Sequence, residues 1–441
     1  MVGDRVAGKG VCMMDVTVAA LTCLVMIASI LFFPRVKVGK RQFDTYWMVT
    51  LAGALVLLCC GRGRFAAVGQ ALVADTAVNP LKILVLFMCM TVLSVFLDEL
   101  GFFRLLASLA LRRAGQSQTA LFFLLYVTVS VLTVFTSNDI IILSFTPFIC
   151  YFARNAGIDP IPYLAAEFVS ANTWSLALVI GNPTNIYLAT AQGVNFLSYM
   201  RVMLLPTLGA GAVSLVCLWL TFRRRLKAPL RPTSDAPLPS TDKPQLILGL
   251  VHLGVCTLAL AVSSYVGVEM WLVSAAAVAS LTLCAAVMAV LRRRPARELK
   301  AAFARAPFQL VPFLLSMFAI IVVLEREGAV AYLTVFLQSG NSLFLSGVAS
   351  FLSANLINNI PMCVLFGAAL PAGDAGALYA TVIGSNLGAL LTPVGALAGI
   401  MWSGILSRHG HRFGYRDFLR LGATVGLPAL AASLVLLWAV L

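Results

Sequence analysis

Charged residues are scarce in this sequence. They make up 11% of its 441 residues, whereas 61% are hydrophobic, and the mean hydropathy is +0.96. A water-soluble fold does not sustain so many long apolar runs, so the composition predicts a polytopic membrane protein embedded in a lipid bilayer. Basic residues outnumber acidic ones by 31 to 17, but they lie in short segments between apolar runs. That pattern is typical of topology signals, and we expect no nucleic-acid partner.

Catalytic and metal-binding motifs are also missing. The sequence has no HExxH or GxSxG motif, no nucleotide-binding loop and no CxxC pair, and its three histidines do not cluster with carboxylates. We therefore predict a protein that is not an enzyme, with no catalytic residue, no metal site and no cofactor. ATP-driven transport would need a separate subunit.

Long apolar runs are abundant, and they predict an all-α protein with about ten transmembrane helices. Two further apolar pairs, at 118–153 and 341–370, each break at a polar tip and are predicted to be re-entrant hairpins. Two spans, at 162–190 and 375–400, contain glycine and proline and are predicted to be broken helices. The transmembrane helices are predicted near 16–33, 45–60, 82–98, 162–180, 203–222, 246–263, 270–291, 308–324, 375–396 and 420–441.

The distribution of basic residues predicts the topology. If neither hairpin crosses the membrane, alternate loops carry 24 of the 31 Lys and Arg residues. The positive-inside rule then puts those loops in the cytoplasm and both termini outside the inner (plasma) membrane. Amphipathic stretches at 102–113 and 329–338 are predicted to lie along the two interfaces.

The chain divides into two similar halves. Residues 1–222 form the first predicted repeat, 223–245 a cytoplasmic linker, and 246–441 the second repeat. The segment Leu97-Asp98-Glu99-Leu100-Gly101 matches Leu324-Glu325-Arg326-Glu327-Gly328. The first half starts outside and the second inside, so the repeat is predicted to be inverted, as in many secondary transporters.

Candidate site residues lie where polar sequence interrupts the apolar spans, because backbone left unpaired at membrane depth survives only inside protein or beside a watery cavity. Helix ends that meet at these points direct free amides and carbonyls towards an ion or substrate. The candidates for binding a coupling ion are Ser137, Asn138, Asp139, Gly181, Asn358, Asn359 and Gly395. The candidates for binding substrate are Asn172, Thr173, Asn182, Thr184, Asn185, Ser385, Asn386 and Thr392.

Asp139 is the main candidate for binding a coupling proton or cation, because intramembrane carboxylates usually mark a transport path or a proton relay. Its counterpart in the second half, Asn359, cannot ionise. A helix-capping role for Asp139 is the alternative. Glu167 either joins a proton route or lies at the cytoplasmic interface, and we favour the interface.

These motifs resemble those of an ion-transporter superfamily that includes arsenite/antimonite efflux pump membrane subunits, citrate-transporter-like proteins, divalent-anion/sodium symporters and sodium/proton antiporters. The resemblance implies an inverted repeat with two hairpins, usually dimeric, in which a transport domain moves against a scaffold (an elevator mechanism). The symporters carry Ser-Asn-Thr at both tips, and its absence here favours a proton over sodium. The matching segments are Thr136-Ser137-Asn138-Asp139, Thr146-Pro147, Asn358-Asn359-Ile360-Pro361, Ile383–Gly388 and Leu391–Leu397.

The predicted function is secondary active transport, with proton-coupled export of a small oxyacid such as arsenite or antimonite as the preferred activity. Coupled transport of a di- or tricarboxylate with sodium or protons is the alternative, and sodium/proton antiport is a third possibility. A homodimer is expected, and the basic linker is a candidate docking segment for a cytoplasmic ATPase subunit.

Overall fold

A computed structural model describes residues 13–38, 41–61, 63–74, 79–230 and 242–441. These residues are almost entirely helical, apart from one antiparallel pair of strands, β1 (Arg35–Val38) and β2 (Arg41–Asp44). Within this part of the chain, eight helices are long and apolar enough to cross a membrane. The predicted class, an all-α polytopic membrane protein, is confirmed.

The first half begins and ends with a long apolar helix. Its hairpin and its broken helix come just before the last one. The predicted hairpin is a pair of helices, α6 and α7, and the predicted broken helix is the pair α8 and α9. The helices are α1 (Met13–Phe32), α2 (Thr45–Cys59), α3 (Arg64–Val73), α4 (Pro80–Glu99), α5 (Phe102–Ala114), α6 (Gln118–Phe135), α7 (Asn138–Ala156), α8 (Ile161–Trp174), α9 (Pro183–Ala191) and α10 (Phe196–Phe222).

The second half repeats this order. Its hairpin is formed by α16 and α17, and its broken helix by α18 and α19. The helices are α11 (Lys243–Ser263), α12 (Met270–Leu291), α13 (Arg297–Arg305), α14 (Leu310–Arg326), α15 (Ala329–Gln338), α16 (Ser342–Ile357), α17 (Asn359–Ala369), α18 (Ala375–Gly388), α19 (Leu397–Arg408), α20 (Tyr415–Leu421) and α21 (Leu427–Val440). Most of the predicted linker, residues 231–241, lies outside the described residues.

The two predicted amphipathic stretches are helices α5 and α15, and both begin in the same way. Gly101 and Gly328 precede them, each with φ of 78°. This left-handed conformation is open to glycine without the steric cost that other residues incur. The matched sequence segments therefore encode the same sharp turn between a long helix and a short one in both halves.

Two groups of helices account for most of the packing. In one group α1 packs on α2, α2 on α14, α11 on α12, and α4 on both α12 and α13. In the other group α16 packs on α18, α10 on α21, α6 on α8, α7 on α19 and α9 on α17. The hairpins and broken helices of both halves thus belong to one group, and the first helices of both halves to the other.

Polar contacts reveal the relative directions of corresponding helices. Gln309 lies just before α14 and accepts a hydrogen bond of 3.0 Å from Trp47 near the start of α2. At the other end of α14, Arg326 donates to the carbonyl of Gly63, beyond the end of α2, over 3.2 Å. Helices α2 and α14 therefore run in the same direction.

Helix α4, the counterpart of α14, runs the opposite way. It ends at Asp98 and Glu99, and Arg305, which precedes α14, pairs with Asp98 over 2.7 Å. The end of α4 therefore lies near the start of α14. This antiparallel arrangement of corresponding helices is what an inverted repeat requires.

Candidate functional site

Four helices begin at the polar interruptions. Helix α7 starts after Ser137 and α17 after Asn358 at the hairpin tips, while α9 starts after Asn182 and α19 after Ala396 at the breaks. The first amides of a helix have no partner within it, and the helix dipole makes this end favourable for oxygen-rich or anionic ligands. The interruptions therefore combine helix starts with polar side chains, and the first amides of α9 and α17 are already bonded to Asn182, Asn358 and Gly395.

Asn386 joins the two broken helices. Its carbonyl oxygen accepts a hydrogen bond from Asn182 Nδ2 at 2.8 Å and lies 2.9 Å from Ser175 Oγ, whose single hydrogen is also within reach of the Asn172 carbonyl at 2.9 Å. Its amide nitrogen donates to Asn185 Oδ1 at 2.7 Å and to the carbonyl of Val382 at 2.9 Å. An amide side chain has two donor hydrogens and two acceptor lone pairs, so Asn386 is fully used.

The partners of Asn386 are also engaged. Asn185 Nδ2 donates to the carbonyl of Ser175 at 2.8 Å, and Asn182 Oδ1 accepts from the backbone N–H of Thr184 at 3.2 Å. All three asparagines are at most 3% exposed. These predicted substrate ligands therefore hold the halves together, and a substrate reaches them only by displacing existing bonds.

The tip of the first hairpin has few bonds to its surroundings. Asn138 Nδ2 donates to Asn172 Oδ1 over 3.3 Å, and Asn138 Oδ1 accepts from the backbone N–H of Asp139 at 2.9 Å. The hydroxyls of Ser137 and Thr173 are buried, and neither has a hydrogen-bond partner in the part of the chain that the structure describes. Asp139, in the first turn of α7, is half-buried. Unsatisfied buried polar groups are rare in proteins, so these hydroxyls are candidates for contacting a ligand or water.

The tip of the second hairpin is tied to the break between α18 and α19. Asn358 Nδ2 donates to the carbonyl of Val394 at 2.9 Å, and the backbone N–H of Asn359 donates to the carbonyl of Gly395 at 3.0 Å. Asn358 has φ of 71° and ψ of 151°, a conformation that is costly for any residue except glycine. The side-chain oxygen of Asn359 is buried without a partner among the described residues.

Asn355 was not predicted from the sequence, yet it strengthens this second junction. Its Nδ2 donates to the carbonyl of Gly388 at 3.0 Å, and its Oδ1 accepts from Thr392 Oγ1 at 2.6 Å. Asn355 is on α16, three residues before the tip residue Asn358. A polar residue at that spacing inside an apolar helix is the signal that would have identified it.

The other predicted site residues lie in the same region. Gly181 ends a short 3-10 turn, Val179–Gly181, between the two parts of the first broken helix. Ser385, next to Asn386, accepts a hydrogen bond from the Cys363 thiol at 3.3 Å, and Thr184 is buried in the first turn of α9.

Glu167 is enclosed by protein and not exposed at a surface, while its depth in the membrane stays a prediction. Its side chain is 0% exposed. Thr146 of α7 lies 2.8 Å from Oε1, and the indole N–H of Trp402 of α19 donates to Oε2 over 3.4 Å. The carboxyl group therefore lies between the first hairpin, the first broken helix and the second half. The contact with Trp402 was not predictable from the sequence, because contacts between distant helices leave no local pattern.

A cavity of about 410 Å³ lies away from the tips, between the two groups of helices. None of the predicted site residues lines it. Its wall includes Lys82, Leu86, Thr190, Asn195, Glu269 and Trp271. Lys82 and Glu269 form an ion pair over 2.7 Å across its rim.

Paired helical hairpins, broken helices and polar groups enclosed within a polytopic helical bundle define a membrane transporter. The comparison with protein families is specific: residues 15–377 match the model described as citrate transporter, CitMHS. The chain belongs to this family, and the resemblance predicted from its motifs is confirmed.

Individual relatives agree with this assignment. The arsenical pump membrane protein of Escherichia coli (strain K12) is 29% identical over 378 residues, which cover 80% of this chain and 84% of that protein. A silicon efflux transporter of Oryza sativa subsp. japonica is 29% identical over 198 residues, or 42% of this chain and 41% of that one. The family and these relatives are transporters, so this protein is a transporter and not an enzyme.

The fold also matches a solved structure. The crystal structure of the Alcanivorax borkumensis YdaH transporter aligns with a TM-score of 0.57 at 14% identity and covers 97% of both chains. This match extends over nearly the whole of the fold.

Proposed function

We propose that this protein is a secondary active transporter that exports a small uncharged oxyacid, such as arsenite or antimonite, in exchange for protons. The observation that carries the proposal is the chemistry of the tips. Hydrogen bonds there are made by amides, hydroxyls and backbone groups, and the unpartnered buried atoms are Ser137 Oγ, Thr173 Oγ1 and Asn359 Oδ1.

A neutral oxyacid suits such a set of groups. Arsenous acid is uncharged near neutral pH and presents O–H groups that both donate and accept hydrogen bonds. Burying it requires partners for those hydroxyls, but no compensating charge. A di- or tricarboxylate would bring two or three negative charges to a region where the described contacts involve neutral groups. Two relatives are named an arsenical pump and a silicon efflux transporter, and the As(III) and silicon acids, As(OH)3 and Si(OH)4, are neutral near pH 7.

Asp139 supplies the coupling in this proposal. Its carboxyl group is half-buried in the first turn of α7, next to Asn138 and the unpartnered Ser137. Because Asn359 replaces it in the second half, only the first tip carries a proton there. The hairpins and broken helices would move as one group against the other helices, in the membrane of the cell, with both termini extracytoplasmic.

Assembly is part of the same proposal. The protein would act as a homodimer, and the basic linker at residues 223–245 would be the segment to test for docking of a cytoplasmic ATPase subunit.

Thermal stability of the purified protein tests the substrate. A ligand that binds only the folded state raises its stability by RT ln(1 + [L]/Kd). We expect arsenite and antimonite to raise the unfolding temperature, and citrate, succinate and sodium to leave it unchanged. Stabilisation by a carboxylate that grows with sodium would replace the proposal with carboxylate symport.

A pair of variants sharpens this test. Ser137→Ala combined with Thr173→Val removes both unpartnered hydroxyls and should abolish the shift with arsenite. Thr207→Val is the matched control, because Thr207 is buried but bonds only within its own helix, to the carbonyl of Met203 at 2.6 Å. It should keep the shift.

A further inference from the structure

Glu167 is a buried acidic group that the proposed function does not use. It is on α8, two turns from the α7–α8 connection, and its side chain is 0% exposed. Burying an ionised carboxylate without a compensating charge is costly. A group kept at such cost inside a transporter is by default a candidate for function.

The hydrogen bonds around Thr146 indicate which proton state of Glu167 fits the structure. Thr146 Oγ1 lies 2.6 Å from the carbonyl oxygen of Ile142 and 2.8 Å from Glu167 Oε1. A hydroxyl has one hydrogen, so it can donate to only one of these two oxygens. The carbonyl of Ile142 cannot donate. With Glu167 ionised, the two oxygens compete for this single hydrogen. With Glu167 protonated, Thr146 donates to Ile142 and Glu167 donates to Thr146, so each contact has its own hydrogen.

The surroundings of Glu167 offer no positive charge. Among the described residues, no Lys, Arg or His forms an ion pair with Glu167, and the Cys150 thiol of α7 is close enough to interact with it electrostatically. Tyr126 of α6 is turned towards the carbonyl of Gly211, and Arg408 of α19 bonds within its own helix. A bound proton is therefore the available means of neutralising this carboxyl group.

Glu167 contacts α7 on the face that carries the acidic residue of the first tip. Asp139 and Thr146 are seven residues apart on α7, so they lie on nearly the same face, about 10 Å apart along the axis. The carboxyl group of Asp139 and the Thr146 hydroxyl that contacts Glu167 therefore lie along the same face of α7.

An aromatic cluster closes the other side of Glu167. The ring of Trp402 lies 4.8 Å from Phe168, 5.1 Å from Phe413 and 5.7 Å from Phe418. Phe413 belongs to the segment after α19, so the cluster joins Trp402, which contacts Glu167, to that segment. Because Trp402 also donates to Glu167, a change in the charge of Glu167 acts directly on this cluster.

We propose that Glu167 is a second proton-binding site, occupied in this conformation, which receives the proton from Asp139 and releases it when the contacts with Thr146 and Trp402 open. The inference rests on the proposed proton coupling. No bond other than that to the proton changes, and the proton taken up at the tip is the one released beyond the aromatic cluster.

The isosteric substitution Glu167→Gln tests the site. The glutamine amide can donate to Thr146 as the protonated acid does, so the variant should fold and keep its thermal stability. In proteoliposomes it should still exchange arsenite at equal concentrations, while uphill transport driven by a pH gradient falls to the level of empty vesicles. Unchanged uphill transport at every pH would overturn the proposal.

Infrared spectroscopy provides a readout that does not depend on transport. The wild-type protein should show the C=O stretch of a protonated carboxyl group at neutral pH that is missing from Glu167→Gln and retained in Asp139→Asn. Absence of a band assignable to Glu167 would refute the occupied site. If wild-type vesicles move arsenite without any response to pH, proton coupling and the relay fail together. In that case, loss of the band in Glu167→Gln would show that Glu167 is protonated but has only a structural role.

Discussion

The two hairpins hold corresponding places in the two halves, yet their tips are bonded in different ways. The second tip is fixed to the break in its own broken helix by Asn358, by the backbone of Asn359, and by Asn355 with Thr392. The first tip has one side-chain bond to its broken helix, the 3.3 Å contact between Asn138 and Asn172.

Ionisable groups follow the same division. The first half has Asp139 at its tip and Glu167 on its broken helix, whereas the corresponding positions of the second half are Asn359 and Thr381. Thr381 bonds only within its own helix, to the carbonyl of Ala377. The two halves share a fold, but the first tip is loosely bonded and its half carries the two ionisable groups, whereas the second tip is firmly bonded and the corresponding residues are neutral. We infer that coupling belongs to the first hairpin and anchoring to the second.

The largest expected effect comes from removing the charge of the first tip. Asp139→Asn should reduce uphill, pH-driven arsenite transport to the level of empty vesicles while the protein still folds, since an amide replaces the carboxyl group at nearly the same size. Transport into everted membrane vesicles measures this directly. The matched variant Asn359→Asp adds a carboxyl group to the second tip and should not restore transport when combined with Asp139→Asn. Full activity of Asp139→Asn would mean that another residue couples arsenite transport to protons.

Removing the amide that joins the halves should have the next largest effect. Asn386→Ala removes four hydrogen-bonding contacts and leaves buried partners unpaired, which should lower the free energy of unfolding by about 2–4 kcal/mol. The side chain of its counterpart Asn172 bonds only to Asn138 and the carbonyl of Phe168, so Asn172→Ala should cost about 1–2 kcal/mol. Thermal unfolding of the two purified variants compares them. Equal losses of unfolding free energy in the two variants would contradict the difference in bonding between Asn386 and Asn172.

The smallest expected effect comes from backbone strain. The difference in stability between the Gly and Ala variants should have opposite signs at the two tips. At Asn358, where φ is 71°, glycine should be more stable than alanine by about 1 kcal/mol, because alanine resists this conformation. At Asn138, the first residue of α7, alanine should be more stable than glycine by about 0.5–1 kcal/mol. Comparing the Gly and Ala variants at each position cancels the loss of the asparagine side chain. The same preference at both positions would contradict the strained second tip.

Much of this organisation is legible in the sequence because it is local. The helical hairpins, the broken helices and the amphipathic helices follow from apolar runs interrupted by Asn, Gly and Pro, and these elements lie within a few residues of the predicted ranges, except that α19 continues to Arg408. Helices α3 and α13 and the two strands were not predicted. The resemblance carried by Ser137-Asn138-Asp139 and Asn358-Asn359 led to the family.

The contacts within the site were not predictable in the same way. Asn386 was expected to bind substrate, but it is saturated by Ser175, Asn182 and Asn185 of the other half. The enclosure of Glu167 was not predictable because the sequence shows only its own helix, not Trp402 approaching from the second half. Pairing between helices far apart in the chain depends on tertiary packing, which local periodicity does not encode.

The most direct test of the account is the number of protons moved with each arsenite. Proteoliposomes without sodium would be given an arsenite gradient, and a trapped pH dye would report proton movement for the wild type, Asp139→Asn and Asn359→Asp. We predict that arsenite leaving one side drives protons the opposite way in the wild type and Asn359→Asp, and that Asp139→Asn shows no proton movement. Arsenite flux without proton movement in the wild type, or a strict requirement for sodium, would contradict it.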